Sequence, residues 1–92
     1  MMYEWDEEKN RENLAKHGFS FKDADTIFVG SCVTYRDRRF DYGEERFITL
    51  GLLEGRVMVI AHTPRGEKTR IISMRKANRR EQKMYTQRPE TD

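Results

Sequence analysis

At 92 residues, 36% apolar and 37% charged, the chain is sized for one small domain with a modest core, residues 1–92. Its formal net charge of +2 is uneven: residues 1–64 hold 9 basic and 12 acidic side chains, residues 65–92 hold 9 basic and 4 acidic. A single cysteine, Cys32, excludes an internal disulfide, and two histidines without a CxxC motif argue against a zinc site. The longest apolar run, Val57–Ala61, is too short to cross a bilayer, and Met1-Met2-Tyr3 leads straight into charge rather than into a signal peptide. The expectation is a cytoplasmic protein with no membrane association and no metal or other cofactor. The basic C-terminal third points to an anionic partner, nucleic acid or an acidic protein.

In chain order, Asp6 is a good N-cap, and Glu7 and Glu8 sit where the helix dipole favours negative charge. This first helix runs through Lys16-His17 and stops at Gly18, a natural left-handed C-terminal residue. Its apolar stripe is thin, so Trp5 and Leu14 are expected to anchor it. A second helix starts at Ser20 and ends at Gly30, with Phe21, Ala24, Ile27 and Phe28 as its core-facing stripe.

Four strands follow: Cys32–Tyr35, Glu45–Leu52, Arg56–Thr63 and Lys68–Arg75. Arg36-Asp37-Arg38-Arg39 opens a charged loop after the first, Glu54-Gly55 is a two-residue hairpin signal, and Pro64-Arg65-Gly66-Glu67 is a second turn. Even loop lengths preserve side-chain parity, which sorts the residues onto two faces. One face collects Ile48, Leu50, Leu52, Val57, Val59, Ala61, Ile72 and Met74, with Arg46 and Arg70 toward one end. As the drier face it should receive the two N-terminal helices. The mixed face collects Phe47, Thr49, Met58, Ile60, His62, Ile71, Ser73 and Arg75, and a bulge would swap some of these assignments.

The last strand breaks at Ala77-Asn78 and restarts as a helix, with Asn78 and Glu81 at capping-box spacing. That helix runs toward Arg88, and residues after Arg88 are expected to be a disordered tail. Arg70, Arg75, Lys76, Arg79, Arg80 and Lys83 crowd this strand-to-helix junction, a place suited to holding a phosphate chain. Arg75 can bind phosphate through two parallel hydrogen bonds, or it can be an edge arginine paired with an acid. His62 is a proton carrier or a hydrogen-bonded boundary histidine, and Tyr85 a site phenol or core filler. Lys9, Lys16 and His17 offer a second cationic strip, although the helix dipole already explains the last two. No Gly-rich phosphate loop, Ser-His-Asp pattern or carboxylate cluster is present in the sequence. Cleavage of RNA needs none of these: the 2′-hydroxyl is an internal nucleophile, and protein supplies positioning, a base, an acid and cations.

Three segments, WDEEKNRENLAKHGFSF, GEERFITLG and RIISMRKANRREQKMY, together resemble the BrnT family of bacterial type II toxins, in order and spacing from Trp5 to Tyr85. The resemblance implies an α+β, RelE-like fold: two N-terminal helices, a four-stranded mostly antiparallel sheet and a C-terminal helix. It also implies an endoribonuclease that inhibits translation, neutralised by a BrnA-type antitoxin; with no carboxylate cluster in the sequence to hold a metal, the cleavage is expected to be metal-independent. Operator DNA would be met only through that antitoxin, the pair repressing its own promoter. Residues falling in the family segments are Lys9, Lys16, His17, Arg46, Arg70, Ser73, Arg75, Arg79, Arg80 and Tyr85; His62 lies outside them. His62, Arg75, Tyr85 and Arg70 are the candidates for catalysis, and the others for RNA binding. Arg75, Arg79 and Arg80 are expected to share one open groove with His62. The alternative is a non-catalytic basic module that grips nucleic acid or an acidic partner.

Overall fold

Local signals at the chain's turns and caps set most of the element boundaries. The computed structural model describes residues 2–88. A short strand β1 (Met2–Glu4) precedes helix α1 (Glu7–His17), a 3-10 turn (Phe21–Asp23) and helix α2 (Ala24–Val29). Strands β2 (Cys32–Arg36), β3 (Phe47–Leu53), β4 (Arg56–Arg65) and β5 (Lys68–Lys76) follow, then helix α3 (Arg79–Thr86). The expected tail beyond Arg88 lies outside the described residues.

The sheet is five-stranded and mixed, in the order β1-β5-β4-β3-β2. The four expected strands are present and pair antiparallel in sequence order. The fifth, β1, corrects the four-stranded expectation: it runs parallel to β5, with Met2 opposite Lys68 and Glu4 opposite Arg70. Three residues are too few to display a period of two, so its strand character comes only from a partner far along the chain. The Glu54-Gly55 hairpin has φ of 52° and 79° at its two central residues, the left-handed pair that a tight turn between twisted strands requires.

Asp6 caps α1 through its side chain and Gly18 closes it at φ 81°. Leu14, expected as an anchor, is instead 49% exposed, and the buried residues of α1 are Asn10 and Asn13. Asn13 Nδ2 donates to the Met74 carbonyl (2.8 Å) and its Oδ1 accepts from the Met74 amide (3.2 Å). This one side chain serves β5 as a neighbouring strand would, beyond the point where β1 ends. Asn10 Oδ1 accepts from the Phe21 amide at 2.8 Å, tying α1 to the turn after it. Trp5 does contribute, meeting Phe21 edge-on. The second helix begins later than its N-cap suggests: Ser20 caps only the 3-10 turn, and α2 has six residues.

Phe21, Ala24 and Ile27 pack on Met58, Ile60, Ile71 and Met74, and α2 approaches β3 closely enough that a Cβ at Gly51 would stand 2.7 Å from Ile27. Ile48, Leu50 and Val59 pack instead with Ala77 and Tyr85 of the C-terminal segment. The drier face therefore receives α3, and the N-terminal helices cover the mixed face, the reverse of the expectation. Face dryness was the wrong criterion, because Phe21 and Ile27 bring their own apolar area to a face already holding Met58 and Ile60. A bulge between Ala61 and His62 then shifts the register against β5, so that Ala61 pairs with Ser73 while His62 pairs with Ile71. Beyond it Met74 joins the α1/α2 side, and Ser73 and Arg75 join the α3 side.

Candidate functional site

Between α3 and the loop after β2 lies a cleft of about 320 Å³. Tyr35, Arg36 and Ile48 line it from the sheet, Asp37, Arg38 and Arg39 from the loop, and Arg75, Asn78, Arg80, Glu81 and Met84 from the strand-to-helix junction. The capping box builds the junction wall: Asn78 Oδ1 accepts from the Glu81 amide (2.8 Å) and Glu81 Oε1 from the Asn78 amide (2.9 Å). The same carboxylate takes both terminal nitrogens of Arg75, at 2.8 and 2.9 Å. Helix capping thereby fixes Arg75 at the mouth of the cleft. The Arg75 hydrogen bonds hold Glu81 below its ordinary carboxylate range, and Glu81 in turn raises the guanidinium.

The opposite wall is ordered by Asp37, whose side chain is buried. Its carboxylate accepts from Arg39 Nε and a terminal nitrogen, both at 2.9 Å, and from the Tyr42 hydroxyl at 2.9 Å. Its backbone amide donates to the Arg46 carbonyl at 2.8 Å, closing the loop on itself. Hydrogen bonding from Arg39 drives the Asp37 carboxyl far below the usual range, so it stays ionised. Arg36 and Arg38 are exposed beside it. Burial, and then the nearby Glu81 charge, push the Tyr35 phenol up, so it is protonated and a hydrogen-bond donor at neutral pH.

Of the expected site residues, Arg75 and Arg80 line this cleft; Arg79 is exposed on α3 and does not. Ser73 lies two residues from Arg75 on the same face, half-buried opposite Ala61. His62 does not share their groove, which corrects the expectation: the bulge leaves it on the α1/α2 face. There it is 8% exposed, with Phe28 edge-on at 5.0 Å and Nε2 2.7 Å from Thr49 Oγ1. Burial lowers its pKa to about 4, so it is a neutral imidazole at physiological pH. Tyr85 is buried under α3, its hydroxyl donating to the Ser31 carbonyl at 2.8 Å. Arg70 pairs with Glu4 across the β1–β5 ladder at 2.9 Å. Arg46 pairs with Glu44 and lies 4.1 Å over the Tyr42 ring. Lys9, Lys16 and His17 ride on α1 and do not line the cleft.

Sequence reasoning passed over Tyr35, Arg36, Arg38 and Arg39, reading the arginines only as a charged loop. A signal was available: three arginines around one aspartate at a strand end, in the acidic part of the chain, are unusual for a merely solvated turn. Chemically, the cleft is a concave surface with several guanidinium groups, two ionised carboxylates (Asp37 and Glu81), each bound by an arginine, and one protonated phenol. Such a set has the chemistry needed to bind a phosphodiester and to exchange protons with it.

Among the described residues, no three His, Cys, Asp or Glu side chains are grouped to hold a metal ion, and no helix is long and apolar enough to cross a membrane. A family model described as ribonuclease toxin, BrnT, of type II toxin-antitoxin system matches residues 5–81. No curated protein matches the chain.

Proposed function

Because the chain belongs to the BrnT family of ribonuclease toxins of type II toxin–antitoxin systems, we propose that the cleft between α3 and the loop after β2 is where it cleaves RNA. One observation carries this reading: Arg75, Arg80, Arg36, Arg38 and Arg39 converge there from two distant parts of the chain around Tyr35 and Glu81. The reaction is attack of a ribose 2′-hydroxyl on the adjacent phosphorus. The bond to the 5′-oxygen breaks, leaving a 2′,3′-cyclic phosphate and a 5′-hydroxyl end. Arg75 and Arg80 bind the non-bridging oxygens and stabilise the added charge of the phosphorane, without requiring a metal ion. Glu81, kept ionised by Arg75, accepts the proton of the 2′-hydroxyl, and Tyr35 donates to the departing oxygen. Ser73, in β5, and Arg79, at the start of α3, do not line the cleft. His62, Tyr85 and Arg70, each engaged elsewhere, hold the fold.

Cleavage of cellular RNA would arrest translation in the cytoplasm. The partner is a protein antitoxin, in this reading of the BrnA type, which offers acids to the arginine cleft and excludes RNA from it. Any contact with operator DNA, and repression of the shared promoter, passes through that antitoxin. The test is single-stranded RNA incubated with purified protein in excess chelator. Cleavage to 5′-hydroxyl ends is expected; a salt-sensitive gel shift with intact RNA would leave a non-catalytic nucleic-acid-binding module instead.

A further inference from the structure

We propose that a second cleft, built by the 37–44 loop, binds one unpaired nucleobase of single-stranded RNA against Phe40, next to the phosphate-binding cleft. The inference rests on the ribonuclease reading above. Phe40 is 68% exposed, so its ring contributes little to the core. It meets Tyr42 edge-on, with centroids 5.8 Å apart and planes at 76°, a contact that leaves ring surface open to solvent. Tyr42 is itself fixed, its hydroxyl on Asp37 and the Arg46 guanidinium over its ring. Phe40 therefore leans on a rigid support.

The cleft bordered by Phe40 measures about 510 Å³ and shares Arg36, Asp37, Arg38 and Arg39 with the first. The shared residues are three arginines and Asp37, which Arg39 neutralises, while Asp41 and Glu44 belong to this cleft alone, Glu44 being paired with Arg46 and Arg65. A phosphate is drawn to the arginines that the two clefts share. A nucleobase is uncharged, flat and apolar on its faces, which suits the aromatic end. Only unpaired bases have a free face to stack, so the ligand is single-stranded.

The experiment compares the full chain with Phe40→Ala and Phe40→Trp, using a short single-stranded RNA made non-cleavable by 2′-deoxy linkages. Phe40→Ala is expected to weaken binding roughly ten- to hundred-fold, the range of one base–aromatic stack, and Phe40→Trp to retain it. The salt dependence should be the same in all three, because no phosphate contact changes. An abasic nucleotide moved along the strand should, at one position, weaken wild-type binding and leave Phe40→Ala unaffected. Wild-type binding that is salt-sensitive but equal in Phe40→Ala overturns the stacking subsite and leaves the ribonuclease reading standing. Absence of RNA binding by the wild type overturns both. An equal Phe40→Ala defect on intact and abasic strands at every position, or loss of antitoxin neutralisation with RNA affinity unchanged, also overturns it, the latter making Phe40 a protein contact.

Discussion

On the side of α1 and α2 the sheet buries His62, Thr49, Asn10 and Asn13, and each finds a partner within the protein. On the side of α3 it holds Arg75, Arg80 and the loop arginines around an open cleft, because an eight-residue helix cannot cover the whole face. The same sheet thus makes a sealed polar interior on one face and a charged surface on the other. The comparison teaches that residue type is a poor guide to role until the face is known. Histidine, the residue most often used in proton transfer, is here sealed away and neutral. Arginines in a stretch of net negative charge line the open cleft.

The sharpest way to break the contrast is to remove one group from the open face. Arg75→Ala is expected to lower RNA cleavage about a hundred-fold or more, by loss of phosphorane stabilisation. It should also cost roughly 1–2 kcal/mol of stability, since Glu81 loses its charged partner. Cleavage rates measured on the folded fraction, beside a urea melt, separate the two. Rates unchanged per folded molecule would make the ion pair purely structural and move the site.

On the sealed face the largest effect is on stability. Asn13→Ala leaves the Met74 amide and carbonyl without their side-chain partner, an expected loss of about 3 kcal/mol. Cleavage per folded molecule should stay within about two-fold of wild type, following the usual tolerance of sites away from the chemistry. A drop in activity without a drop in stability would put α1 in the site.

His62 provides a subtler test. Its pKa is about 4 in the folded protein and near 6.5 when unfolded. As pH falls, the unfolded chain takes up the proton first. Stability from this group is therefore full above pH 6.5 and declines as pH drops from there toward 4. Asp37 and Glu81, whose carboxyls are held low, lose their contribution only in more acidic solution, below the unfolded carboxylate range. Denaturant melts of wild type and His62→Gln across the upper part of the His62 window should show a slope in the first and a flatter profile in the second. Equal slopes would mean that His62 is not sealed from water.

The smallest effect is expected for Lys9 and Lys16, exposed on α1. Their double alanine variant should change RNA affinity less than about three-fold, an effect of long-range charge alone. A loss as large as that of Arg80→Ala would extend the RNA path around the sheet edge.

The order of helices and of the four long strands was legible in the sequence because caps and turns are local. Asp6 and Gly18 bound α1, Asn78 and Glu81 start α3, and Glu54-Gly55 joins β3 to β4, each acting within about four residues. The family, too, was legible, in three segments spread over the chain. Arg75 was legible only as part of a basic strand-to-helix junction; the fold pairs it with Glu81, as an edge arginine, at the border of the cleft. Tertiary structure decided the rest. One unpaired residue at the Ala61/His62 bulge inverts the side-chain alternation of β5, sending Arg75 to one face and leaving His62 on the other. No local preference announces such a bulge; it is set by how β4 and β5 twist together. Pairing through β3 and β4 brings residues 35–39 to residues 75–81, so residues scattered in sequence line one cleft. Asn13 has its role only because β5 presents an open backbone edge at Met74. Caps and turns act between neighbours in sequence, and a short chain states them directly; faces and sites depend on registers between distant strands, which only the folded sheet fixes.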